Sequence, residues 1–191
     1  MKRVAVLISG RGTNLQALID AKQDAYKIVL VISNVPGAEG LEKARRAGIE
    51  TLVIDHKRFG KDREAFEREI DTELGARAID IVALAGFMRV LTPFFVRAWA
   101  GHLVNIHPSL LPKYPGTKTH ERALEAGDRE HGATVHLVVE EVDAGEILGQ
   151  ATLQIEPGDT PETLAQRLLP LEHDLYPRCL AKLARSLPES R

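Results

Sequence analysis

The sequence predicts an α/β fold, a doubly wound and mostly parallel sheet of Rossmann-like type, and three observations carry that expectation. Apolar runs of strand length alternate with segments whose apolar residues recur every three or four positions, the pattern of βαβ units. The run Ile79–Ala85 is apolar at nearly every position, as in a strand buried on both faces. The run Arg3–Ile8 passes into Ser9-Gly10-Arg11-Gly12-Thr13-Asn14 and then into Leu15, Leu18 and Ile19 at helical spacing, which reads as strand, glycine turn and helix.

The remaining elements follow in order. A strand is expected at Ile28–Ile32, a helix at Glu39–Ala47 closed by Gly48, and a strand at Thr51–Ile54. A helix over Arg63–Leu74 places Phe66, Ile70 and Leu74 on one stripe, with Asp62 as its N-cap. After Ile79–Ala85, Thr92-Pro93 opens a short helix, Pro93–Ala100, because proline is pre-set for a first helical turn. Leu103–Ile106 is the next strand. Beyond Pro112 the alternation changes to a helix around Glu121–Ala126 and two successive strands, Ala133–Val139 and Ile147–Ile155. Two strands without a crossover helix predict antiparallel edge strands on the same sheet. Thr160-Pro161 opens a C-terminal helix that Pro170 and Pro177 are expected to kink or split, since each removes an N–H donor. Ser186–Arg191 is expected to fray. No internal repeat, low-complexity tract or linker interrupts the chain, so residues 1–191 read as one domain.

The 44% hydrophobic and 27% charged residues are ordinary globular values, and no run approaches the ~18 apolar residues of a membrane span. Val4–Ile8 is too short for a signal-peptide core and flows into a glycine turn instead of a cleavage site. The single cysteine, Cys179, excludes an intrachain disulfide and a cysteine zinc cluster. A net charge of −2 lacks the basic excess of nucleic-acid binders. These features predict a cytoplasmic protein, a monomer or a homodimer, whose partners are small molecules and not membranes or nucleic acids.

The densest chemistry lies in Asn105-Ile106-His107-Pro108-Ser109-Leu110-Leu111-Pro112. In a strand residues i and i+2 share a face, so Asn105 and His107 point together while Val104 and Ile106 point into packing. An amide and an imidazole roughly 6–7 Å apart can converge on one atom held between them. Pro108 pushes His107 into an extended conformation. A lone histidine beside an apolar strand is often structural, but asparagine is poor strand material and a buried amide needs partners. Glu140-Glu141-Val142-Asp143-Ala144-Gly145 ends a later strand in three carboxylates. Such a turn can be simply solvated, or Asp143 can approach the imidazole and favour its protonated form.

Ser9–Asn14 can expose N–H groups at a helix N-terminus, where an anion is favoured. The same turn would serve as an ordinary glycine turn with Thr13 or Asn14 capping the helix. It is neither a dinucleotide fingerprint, since Leu15 stands where glycine is required, nor a Walker loop. Gly86-Phe87-Met88-Arg89-Val90-Leu91 is unusually apolar for a loop. It suits either a flat ring-shaped ligand or burial beneath the next helix. All of these segments begin where a strand ends, the side on which open parallel sheets bind ligands. The seven histidines form no H-x-x-x-H or other tight ligand pair, so no metal is expected.

In order along the chain, Ile8–Gln16, Ala85–Arg89, Asn105–Pro112 and Asp143-Ala144-Gly145 resemble the successive motifs of the folate-dependent formyltransferases, and the resemblance spans nearly the whole chain. It implies a catalytic set of Asn105, His107 and Asp143, and a phosphate-binding turn at Gly12, Thr13 and Asn14. It further implies a folate loop at Met88, Arg89, Val90 and Leu91, a folate contact at Arg63 and Asn105, and a ribose-contacting carboxylate at Glu172. Lys118 departs from the pattern by standing where histidine is expected. The implied reaction is attack by the amine of glycinamide ribonucleotide on the formyl carbon of 10-formyltetrahydrofolate, without a metal or a covalent enzyme intermediate. Two related activities share the site: a formyltetrahydrofolate deformylase, expected to carry an N-terminal regulatory domain, and a transfer-RNA formyltransferase, expected to carry a C-terminal RNA-binding domain. With strand one at Arg3 and the short tail Ser186–Arg191, neither extra domain is expected. A non-catalytic phosphosugar-binding module would use the glycine turn but would not need the Asn, His and Asp together.

Overall fold

The computed structural model describes residues 1–188. Its strands are β1 (Lys2–Ile8), β2 (Tyr26–Ser33), β3 (Glu50–Val53), β4 (Ile81–Leu84), β5 (Leu103–His107), β6 (Glu130–Leu137) and β7 (Ile147–Gln154). They form one sheet in the order β3-β2-β1-β4-β5-β6-β7. The first five are mutually parallel, and β6 and β7 run antiparallel to their neighbours. β6 and β7 close that end of the sheet as the antiparallel strands expected, with β7 outermost.

The helices are α1 (Thr13–Asp20), α2 (Glu39–Arg46), α3 (Arg63–Ala76), α4 (Pro93–Ala98), α5 (Thr119–Glu125) and α6 (Pro161–Ser186). The period-two alternation of β1 divides the core. Val4, Val6 and Ile8 pack on one face with Leu15, Leu41, Leu168 and Leu180, from α1, α2 and α6. Ala5 and Leu7 pack on the other with Phe66, Ile70 and Leu74 of α3 and Phe95 of α4. All four residues of β4 are buried, as its apolar run requires.

Pro170 and Pro177, where a kink or a split was expected, do not split α6, which continues for 26 residues. Its buried stripe holds it against the sheet, and the Tyr176 hydroxyl donates to the carbonyls of Leu84 and Val104 at 2.7 and 3.2 Å. A short 3-10 turn at His56–Phe59, capped by the Asp55 side chain, has no counterpart in the periodicity. Asp62 and Thr160 cap α3 and α6 as expected. Ser186 is the last residue of α6, and residues 189–191 of the expected frayed end lie outside the described residues.

From β1 the chain winds outward through β2 and β3, then returns to start β4 on the opposite side of β1. The reversal leaves a crevice beyond the C-terminal ends of β1 and β4, where sheets of this topology bind ligands. Ser9–Asn14 and Gly86–Leu91 follow directly from those two ends.

Candidate active site

α1 begins after Gly12, whose φ of 71° is left-handed, and no side chain caps it. Thr13 and Asn14 therefore do not act as caps, and the first amides of the helix have no intrahelical acceptor. The glycine has a further cause: a Cβ at Gly12 would lie 2.8 Å from the Gly40 Cα at the start of α2. Gly40 N–H also donates to the Gly10 carbonyl at 3.1 Å, so two backbones meet under the turn. Across α6, Asn14 Nδ2 lies 3.5 Å from Glu172 Oε1. Glu172 is 8% exposed, and burial raises its pKa. The structure thus brings Gly12, Thr13, Asn14 and Glu172 into one region.

In β5, Val104 and Ile106 join the core, Asn105 is half-buried, and His107 is 5% exposed. Asn105 lines an apolar cleft together with His136 and Asp143. His107 Nε2 lies 2.8 Å from the Tyr114 carbonyl oxygen, and Nδ1 lies 3.4 Å from Asp143 Oδ2. A carbonyl only accepts, so Nε2 carries hydrogen, and the other nitrogen faces a carboxylate. An imidazolium, with N–H on both nitrogens, satisfies both neighbours at once.

The chain after His107 is pinned. Thr134 Oγ1 accepts from Leu111 N–H at 3.1 Å and donates to the Ser109 carbonyl at 2.7 Å. Leu110 packs where Gly132 lacks a side chain, since a Cβ there would lie 2.6 Å from Leu110 Cδ2. Asp143 is aimed by its own turn. It has a φ of 54°, in a left-handed region that aspartate tolerates better than most residues. Its Oδ2 accepts from Gly116 N–H at 2.8 Å. A Cβ on Gly145 would fall 1.7 Å from the Leu137 carbonyl oxygen, so glycine lets the turn fold onto β6.

His136 was absent from the sequence-derived site. It pairs with Asn105 across β5 and β6, and its Nε2 lies 3.7 Å from Asp143 Oδ1. Nδ1 donates to the Leu137 carbonyl at 2.9 Å, while Nε2 is buried without a hydrogen-bond partner. Burial lowers its pKa, leaving a neutral imidazole at pH 7. The residue becomes visible only once β6 is registered against β5. Nearby, His120 Nδ1 and His131 Nε2 lie 3.0 Å apart. Burial lowers both pKa values, that of His131 to about 4. Among the described residues no group of three or more His, Cys, Asp or Glu side chains could hold a metal ion.

Arg89, Val90 and Leu91 line the cleft beside Asn105, with Phe87, Val139 and Val142. The loop is latched to α3: Phe87 stacks on Phe66 with centroids 6.5 Å apart, and the Arg89 guanidinium lies 5.5 Å from the Phe66 ring centre. Glu67, 1% exposed, accepts from Thr92 N–H at 2.7 Å. Met88 lines the cavity of the glycine turn instead of this cleft. Arg63 is exposed on the first turn of α3 and does not line the cleft either. Lys118 is exposed and left-handed, with a φ of 55°, and lies 3.9 Å from Glu121.

A sheet with this switch point and this polar cluster defines a class, and comparison gives it a name. The formyl transferase family matches residues 2–180, and the chain belongs to that family. Among its relatives, phosphoribosylglycinamide formyltransferase of Escherichia coli (strain K12) is 48% identical over 95% of this chain and 86% of its own length. The trifunctional purine biosynthetic protein adenosine-3 of Drosophila melanogaster is 55% identical over 95% of this chain. The chain spans only 14% of that longer relative and 18% of the human one. The crystal structure of phosphoribosylglycinamide formyltransferase from Brucella melitensis superposes with a TM-score of 0.91 at 47% identity, covering 100% of this chain and 99% of the other.

Proposed function

We propose that this protein transfers the formyl group of 10-formyltetrahydrofolate to the amine of glycinamide ribonucleotide, a step of purine biosynthesis carried out in the cytoplasm. The observation that supports it most is the His107 imidazole held between the Tyr114 carbonyl and Asp143, with Asp143 and Asn105, two residues before His107 on β5, both lining an apolar cleft. The names of the relatives point to formyl transfer and to the same acceptor.

The folate supplies an electrophilic formyl carbon, and the acceptor amine attacks it. Asn105 donates to the formyl oxygen as negative charge develops there, a role worth roughly 10²–10³ in rate per donor. The positive charge of protonated His107, held by the Tyr114 carbonyl and Asp143, stabilises the same oxygen electrostatically. Asp143 balances the charge on His107 and, through a water, moves a proton from the attacking amine toward the departing folate nitrogen. The apolar walls of Phe87, Val90, Leu91 and Val142 fit the flat face of the folate, with Arg89 in the same cleft. Arg63 and Met88, which lie outside that cleft, are assigned to the outer part of the folate site by motif position alone. The free amides at Gly12, Thr13 and Asn14 take the acceptor phosphate, and Glu172 its ribose.

The test follows tetrahydrofolate appearance with and without glycinamide ribonucleotide, together with formylation of the acceptor. Acceptor-dependent turnover with stoichiometric formylated product is expected. Folate release at the same rate without acceptor would identify a hydrolase instead.

A further inference from the structure

The two ligand loops at the switch point are joined by a side chain that belongs to neither proposed contact set. Ser9 directly follows β1 and opens the glycine turn, and Met88 lies in the loop after β4. Met88 N–H donates to Ser9 Oγ at 2.8 Å, and Ser9 Oγ–H donates to Asn34 Oδ1 at 2.5 Å. Asn34 is 2% exposed and follows β2, and its Nδ2 lies 3.2 Å from His56 Nδ1. One hydroxyl therefore spends its proton and a lone pair on the loops that follow three adjacent strands, β2, β1 and β4.

We propose that Ser9 is a positioning residue, whose hydroxyl fixes the spacing between the acceptor's phosphate turn and the folate loop so that the amine meets the formyl carbon. Its basis is the formyl transfer proposed above. The physical reason lies in where the remaining constraints act. The phosphate turn is held against α2 through Gly12 and Gly40, and the folate loop against α3 through Phe87, Arg89 and Glu67. Each loop is thus anchored to its own helix, on opposite faces of the sheet. The Ser9 hydroxyl ties one loop directly to the other. Removing it leaves both pockets built but free to drift relative to each other. A displacement of about 1 Å between reacting groups can cost on the order of 10²-fold in rate.

Such a role predicts a particular split in the kinetics. Ser9→Ala removes the hydroxyl, and its kcat should fall at least about tenfold while KM for folate and for acceptor each stay within about threefold of the parent. Ser9→Thr retains the hydroxyl and should recover most of the kcat. An inhibitor that covalently joins the two substrate halves should lose more affinity for Ser9→Ala than the two separate halves lose together. Should Ser9→Ala be too unstable to assay, Ser9→Cys carries the comparison, since a thiol is a weak acceptor for the Met88 amide and an intermediate fall in kcat is expected. The proposal is overturned by a kcat within twofold of the parent, by a loss residing wholly in either KM, or by Ser9→Thr being as impaired as Ser9→Ala. Absence of acceptor-dependent transfer in the parent protein would sink the functional proposal as well, whereas normal parent turnover with an unaltered Ser9→Ala removes only this inference.

Discussion

At the scale of single residues, the chemistry depends on what each polar group faces. Asp143 serves His107, and its second oxygen lies near a neutral His136. Asp143→Asn keeps the shape but loses the charge, so kcat should fall at least about tenfold across roughly pH 6–9 while folate KM changes little. A near-normal kcat over that range would show that His107 does not need its carboxylate. Asn105→Ala should cost roughly 10²–10³ in kcat, the usual cost of one donor to a developing oxyanion. Glu172 makes the opposite kind of prediction. Its folded pKa is raised by burial above an unfolded value near about 4.3. Such a carboxyl favours the fold most below its unfolded pKa, and that contribution is lost as pH rises through the folded pKa. Glu172→Gln should therefore raise the melting temperature at pH 8, with the gain shrinking toward pH 4, and should raise acceptor KM. A lower melting temperature at pH 8 would show the buried carboxylate to be stabilising.

At the scale of elements, glycines decide how closely the loops approach their supports. Gly12 combines a left-handed φ with contact against Gly40 of α2. Gly12→Val should lower the melting temperature and raise acceptor KM well above any change in folate KM. Equal rises in both, measured on folded protein, would assign the turn a general structural role. Much of this level was legible in the sequence, because apolar periodicity and cap residues such as Asp62 and Thr160 are local signals. Continuity of α6 through Pro170 and Pro177 was not legible. A proline forfeits its own N–H locally, whereas the Tyr176 hydroxyl reaches strands β4 and β5 from far along the chain. The 3-10 turn at His56–Phe59 is too short to carry a period of its own.

At the scale of the whole molecule, the sheet order turns separate stretches of sequence into one crevice. Asn105 and His107 were visible because they sit two residues apart on one strand. Asp143 was one of two readings of its acidic turn, which the family resemblance favoured, and the fold brings it within 3.4 Å of His107. His136 escaped because its position depends on the antiparallel pairing of β6 with β5, which no local pattern reports. The link between Ser9 and Met88 likewise spans 79 residues of chain. Arg63 and Met88 show the converse, since motif position placed them in the folate site while the cleft beside Asn105 is lined by Arg89, Val90 and Leu91.

The central claim is that the glycine turn at one end of the crevice uses a remote phosphate to place the amine against Asn105 and His107. Binding energy from a group outside the reacting centre then appears in the rate of the chemical step. The direct measurement is the rate of tetrahydrofolate release with glycinamide ribonucleotide, with its dephosphorylated riboside, and with no acceptor. We predict rapid release with the ribonucleotide, a kcat/KM lower by orders of magnitude with the riboside, and little release with water alone. Comparable rates in all three would contradict the account.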